Sequence, residues 1–269
     1  MTHWKRLAAV AAVLGIACAQ HVHAHEIKVM LDRLHVKKGE KDAVFLSWGH
    51  LLPTEGPIRG EDVEGYQLLT PSGSVQILAT DKESDQRNVV HLEETGLYTA
   101  AAIRKPSVLT VFTLGDQHVH FLGPKTEVRE GSNVEDSFRS FQFAKALVTA
   151  GDASDSETPK PIGHTLEIVP ATPPAQWTVG QDIPLRVLFE GKPIFGKLFQ
   201  AKPLDFKPDD VWTWTRPTDQ AGQAILRPDR AGTWLLKASF DRPAAPEDQK
   251  RYDKDHWTAT LILEVREKK

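Results

Sequence analysis

Cysteine is almost missing from this chain. The one cysteine among 269 residues is Cys18, inside an apolar N-terminal run. The remainder carries no thiol, which excludes a disulfide, a cysteine nucleophile and a thiolate metal site there. Methionine is scarce too: Met1 and Met30 are the only two, so no thioether cluster exists for a soft cuprous ion. Beyond the N-terminus, nothing approaches the roughly 20 apolar residues of a membrane-spanning helix. An excess of basic charge is also lacking: 33 Lys and Arg stand against 36 Asp and Glu, which gives no nucleic-acid footprint. There is no Gly-x-Ser-x-Gly elbow, P-loop, dinucleotide glycine motif or His-Glu-x-x-His helix. The paired Asp209 and Asp210 lie in turn-like sequence and read as solvated rather than catalytic. The expectation is a protein that is not an enzyme.

What is present begins with an export signal. Lys5 and Arg6 precede the apolar run Leu7 to Ala19, which has the length of a signal-peptide core and is too short to cross a bilayer as a helix. Small residues allow cleavage after Ala19 or Ala24. The second is favoured, so residues 1–24 read as the signal and His25 as the first mature residue. A lipoprotein reading of Cys18 is weaker, because Gly15 stands where leucine is preferred. The expected location is the periplasm or the exterior.

After the signal, short runs of Val, Leu, Ile, Thr and aromatics alternate with Gly, Pro and Asp clusters, the pattern of an all-β chain. Seven strands are expected in the first half: 26–31, 43–48, 65–70, 75–80, 88–93, 98–104 and 108–114. Seven more follow at 165–169, 185–189, 196–201, 211–215, 223–226, 232–240 and 257–265. Between the two sets, Ser132-Asn133-Val134-Glu135 resembles a capping box and Gly151 a helix stop. Phe138, Phe141, Ala144 and Val148 recur between them at helical spacing. The polar, proline-containing stretch 152–161 reads as a hinge. The expected fold is therefore two β-sandwiches of immunoglobulin-like or transthyretin-like type, 25–160 and 161–269, with one linking helix. Seven tryptophans suggest a carbohydrate platform, but Trp212, Trp214, Trp234 and Trp257 fall on expected strands and suit a core better.

Eight histidines follow the signal, and three groups stand out. As first residue, His25 would offer both its imidazole and a free α-amine, which titrates near 8 and can yield its proton to a divalent ion. In Asp116-Gln117-His118-Val119-His120, strand alternation would put Asp116, His118 and His120 on one face, with successive side chains about 7 Å apart. The alternative for that segment is an exposed polar edge strand. His50, in Trp48-Gly49-His50, ends an expected strand and suits a site at the end of a sandwich or a solvent-facing loop equally. Isolated His35, His91, His164 and His256 read as structural or surface residues. The expectation is one metal site of His25, His50, His118 and His120, with Asp116 as a fifth ligand or orienting partner. Imidazoles with an amine and a carboxylate suit nickel, cobalt, copper or zinc as divalent ions.

Several segments also carry a family likeness. They are Leu166-Glu167-Ile168-Val169-Pro170, Val187 to Pro193, Thr218-Asp219-x-x-Gly222, Gly232-Thr233-Trp234, Ala144 to Val148, and the start His23-Ala24-His25. Together they resemble a periplasmic family described as the periplasmic component of cobalt/nickel transport systems. Members follow Gly-His with Pro and Phe, where this chain has Leu51-Leu52-Pro53. The resemblance implies capture of nickel or cobalt and delivery to the membrane component of a metal transporter. Two alternatives stay open. An N-terminal His with Asp116-x-His118 is similar to copper-resistance carriers, and a structural or carbohydrate-binding sandwich needs no metal at all.

Overall fold

The computed structural model describes residues 25–49, 56–152, 157–207 and 211–268. Residues 1–24, where a signal is expected, His50 and Asp209-Asp210 lie outside them. Nineteen strands run in chain order: β1 (Ile27–Leu31), β2 (His35–Val36), β3 (Lys41–Trp48), β4 (Ile58–Arg59), β5 (Val63–Leu69), β6 (Val75–Ile77), β7 (Glu83–Ser84), β8 (Asn88–His91), β9 (Gly96–Leu114) and β10 (Gln117–Leu122). They continue as β11 (Asn133–Ala150), β12 (Leu166–Pro170), β13 (Ile183–Phe189), β14 (Lys192–Pro193), β15 (Leu198–Pro203), β16 (Trp214–Pro217), β17 (Gln223–Leu226), β18 (Gly232–Pro243) and β19 (Lys254–Val265). The chain is all-β and folds as β-sandwiches, as its alternation implies.

The linking helix is a correction. Asn133–Ala150 is the strand β11, paired with β9 along most of its length and with β19 on its other edge. Its last nine residues are all buried. A strand covered on both faces loses its polar alternation and shows a near-continuous apolar run. Periodicity alone does not separate such a run from a buried helix.

That strand organises the molecule. A ten-stranded sheet runs β16-β15-β18-β19-β11-β9-β5-β6, with β10 added along β9 and β2 along β11. The parallel pairing of β11 with β19 joins the strands of both halves into this one sheet. On one face, Ala144, Ala146 and Val148 pack with Tyr66, Leu68 and Ala100 against the small sheet β1-β3-β8, through Val29, Val44 and Leu46. On the other face, Phe143 and Leu147 join Phe199, Trp234 and Leu261 against β12 and β13, through Leu166, Ile168 and Val187. Alternation along β11 thus sends neighbouring residues into two different cores. Near the start of β9, the Tyr98 hydroxyl accepts from the Glu94 amide at 2.6 Å and donates to the Glu94 carbonyl at 3.2 Å. This is a tyrosine corner, a device of immunoglobulin-like sandwiches.

β9 continues past β5. Its residues Thr99–Arg104 pair with β5, and Leu109–Leu114 pair with β10 on the same edge. The β9–β10 hairpin and the start of β11 therefore extend the central sheet beyond the first sandwich, and His118 and His120 sit on this extension.

Candidate functional site

His118 and His120 lie two apart on β10, opposite Thr113 and Val111 of β9. Their ring centres are 5.2 Å apart with planes at 80°. Two imidazoles held to one tetrahedral ion by bonds of about 2.0–2.1 Å have ring centres roughly 5 Å apart. The spacing of the pair fits such an ion. The Nε2 of His118 also stands 3.0 Å from Glu135 Oε2. Glu135 comes from β11, at a bulge where the pairing with β9 shifts register between Val134 and Asp136. A bulge re-aims side chains locally, and this one brings a carboxylate to the histidine pair.

The third histidine arrives from the other end of the chain. The buried Gln142 of β11 accepts the Ile27 amide at 3.0 Å and donates to the His25 carbonyl at 2.8 Å. One side chain thus fixes the start of β1 across the central sheet. His25 meets Trp48, at the end of β3, edge to face with centroids 5.7 Å apart. Burial lowers the pKa of His120, and the positive charges that His118 and His25 can carry lower it further, while Glu135 acts the other way. His120 therefore stays neutral, and able to donate its lone pair, to lower pH than an ordinary histidine.

A cavity of about 220 Å³ is lined by His25, Trp48, Arg104, Leu109, His120 and Gln142, among others. Arg104 stacks on Trp48 with its guanidinium carbon 4.5 Å from the ring centre. Its Nη1 donates to Ser107 Oγ at 2.7 Å.

The structure brings His25, His118 and His120 to one region and leaves Asp116 out. Asp116 sits with Gly115 in the exposed turn joining β9 to β10. It is not on the strand, so alternation does not carry it to the face of His118. Of the isolated histidines, His35 bonds Thr149 at 2.7 Å and His91 stands 3.6 Å from Glu93. His256 bonds Asp241, and the buried His164 packs on Phe143. Among the described residues, no three His, Cys, Asp or Glu side chains are gathered closely enough to hold an ion by themselves. Glu135, Trp48 and Arg104 are the residues that sequence reasoning missed. Recognising β11 as a strand paired with β9 would have placed Glu135 beside β10.

The fold is that of an all-β sandwich protein, with a histidine-lined cavity beside an extension of its central sheet. The chain belongs to the family described as Domain of unknown function (DUF4198), whose model matches residues 22–242. A comparison with curated proteins finds no match. Among solved structures, the chain is similar to the Escherichia coli adhesin FdeC at 13% identity, over 90% of this chain and 63% of that one, with a TM-score of 0.22. Murine CEACAM1b matches at 8% identity over 90% and 100% of the two chains, with a TM-score of 0.19. The chicken CNTN1 FN1–FN3 domains match at 9% identity over 90% and 98%, with a TM-score of 0.23. None superposes on the chain as a whole. No helix among the described residues is long and apolar enough to cross a membrane.

Proposed function

We propose that this is an exported, periplasmic carrier of a divalent transition-metal ion, nickel or cobalt, which it passes to the membrane component of a transporter. The observation that supports this reading best is the His118–His120 pair, whose 5.2 Å ring spacing fits two imidazoles on one ion. The Glu135 contact adds to it: metal-binding histidines commonly hold a carboxylate with their second ring nitrogen. With Nε2 so engaged, Nδ1 of His118 is the free donor. His25 adds an imidazole and, after cleavage at Ala24, an α-amine, and His50 follows Gly49 in sequence. Nitrogen donors with a carboxylate nearby suit nickel, cobalt, copper and zinc alike, and copper binds such sites most tightly in vitro. The choice of nickel or cobalt rests on the family resemblance.

The test is to purify the protein from its natural export route, sequence its first residues and measure its metal content. Stoichiometric nickel or cobalt on a chain starting at His25 is the expected result. Replacing His118 and His120 by alanine together should abolish tight binding, while His256→Ala should leave it intact. A protein that retains no metal and binds none tightly in titration refutes the reading.

A further inference from the structure

The positive charge of Arg104 is answered only in part, by the face of Trp48 on one side and a distant carboxylate on the other. Its side chain is 9% exposed, and among the described residues the one carboxylate paired with it, Asp62, is 4.0 Å away. That carboxylate is already held by Arg59 through two hydrogen bonds at 3.0 and 3.1 Å. Among the described residues, the guanidinium makes one side-chain hydrogen bond, to Ser107, although it carries five N–H donors in a rigid fork. Burying a cation with so few partners is costly. The same group borders the cavity shared with His25 and His120, and Trp48 and Leu109 form apolar parts of its wall.

We propose that Arg104 receives the carboxylate of a small organic acid that enters this cavity. Planar carboxylates match the guanidinium fork in two parallel hydrogen bonds. At about 220 Å³ the cavity holds a molecule of the size of a few carboxylates on a short carbon frame, not a folded peptide. The proposal continues into the metal reading and for this second half rests on it. Transition metals take four or more ligands, yet no three protein side chains are gathered among the described residues. A chelating acid anchored on Arg104 would supply donors that the histidines leave open, so that the cargo is carried as a metal–carboxylate complex.

Citrate is a suitable probe, titrated calorimetrically into the metal-free protein, with nickel titrated separately and then in the presence of citrate. Citrate should bind the metal-free protein, and Arg104→Gln should weaken that binding at least tenfold. Arg104→Lys keeps the charge without the fork and should fall between the two, with circular dichroism verifying that both variants fold. For the wild-type protein, citrate should raise the affinity for nickel, after correction for nickel complexed in solution, and Arg104→Gln should remove the gain. If citrate fails to bind, or binds wild type and Arg104→Gln alike, the carboxylate site is overturned. If nickel binds but citrate merely strips it from both proteins, the co-ligand role is overturned and the metal reading stands. If citrate binds through Arg104 while nickel does not bind at all, the anion site stands and the metal reading falls.

Discussion

His118 stands beside His120 on β10 with one ring nitrogen already engaged by Glu135. A carboxylate in that position fixes the orientation of the ring and raises its basicity, and losing such a partner typically costs 10–100-fold in metal affinity. Glu135→Gln, which keeps the shape and removes the charge, should therefore weaken nickel binding about tenfold by calorimetry, with no change in melting temperature. An unchanged affinity would reduce Glu135 to a bystander. Binding should also decline with acid, because imidazoles must be neutral to bind. His120, lowered by burial and by its histidine neighbours, should stay neutral to lower pH than an ordinary histidine, so its share of the binding should persist below about pH 6.5. At this scale the His118–His120 pair was legible, because a spacing of two on a strand needs no tertiary information. Asp116 was misplaced for a local reason: the turn starts at Gly115, one residue before the alternation would have applied. Arg104 was illegible, since its isolation depends on Arg59 having taken Asp62.

Among the elements, β11 holds most of the chain's unusual chemistry. Lys145 points into the second core and pairs with Glu167 of β12 at 2.6 Å, both side chains buried. Glu167 also accepts the amides of Ile162 and Gly163 at 2.8 and 3.2 Å, which ties the segment before β12 to the sheet. Lys145→Met would strand that carboxylate in the interior and should cost about 3–5 kcal/mol in urea unfolding. His164 lies beside this pair. Its pKa is pushed down to about 4 by burial first and then by Lys145. It is neutral in the folded state, while an unfolded histidine takes up a proton near pH 6.5. The unfolded state thus binds more protons between those values. Stability is complete above about 6.5 and declines as pH falls toward 4, by about 3 kcal/mol from this residue. His164→Gln should flatten the urea midpoint across that window by a comparable amount, and a variant with the wild-type slope would refute the assignment. Of the strands flanking β11, β19 was legible from its apolar run and turns, whereas β9 was legible only as two pieces, 98–104 and 108–114, of the single strand Gly96–Leu114. β11 itself was not, because Phe143, Ala144, Ala146, Leu147 and Val148 are all buried, some on one face and some on the other.

For the whole molecule, the decisive fact is that two cores share one wall. Leu46 and Leu147 lie in different cores, yet Leu46 packs on the central sheet from β3 and Leu147 belongs to that sheet on β11. Leu→Ala at either position should cost about 2–5 kcal/mol. Both should shift the same single calorimetric transition, because neither half keeps its sheet without the other. Two separated transitions, one moved by each substitution, would show that the halves melt independently. The parallel pairing of β11 with β19 also bears on the order in which the chain can be completed. Synthesis delivers β11 long before Lys254–Val265, and until that strand emerges the edge of β11 from Phe138 to Ala146 lacks its strand partner. An open edge with apolar faces is a template for pairing with other chains. A nascent chain that has made its first sandwich is still an unfinished and adhesive object, so stalled or truncated products lacking β19 are the ones that would burden the cell's chaperones and proteases.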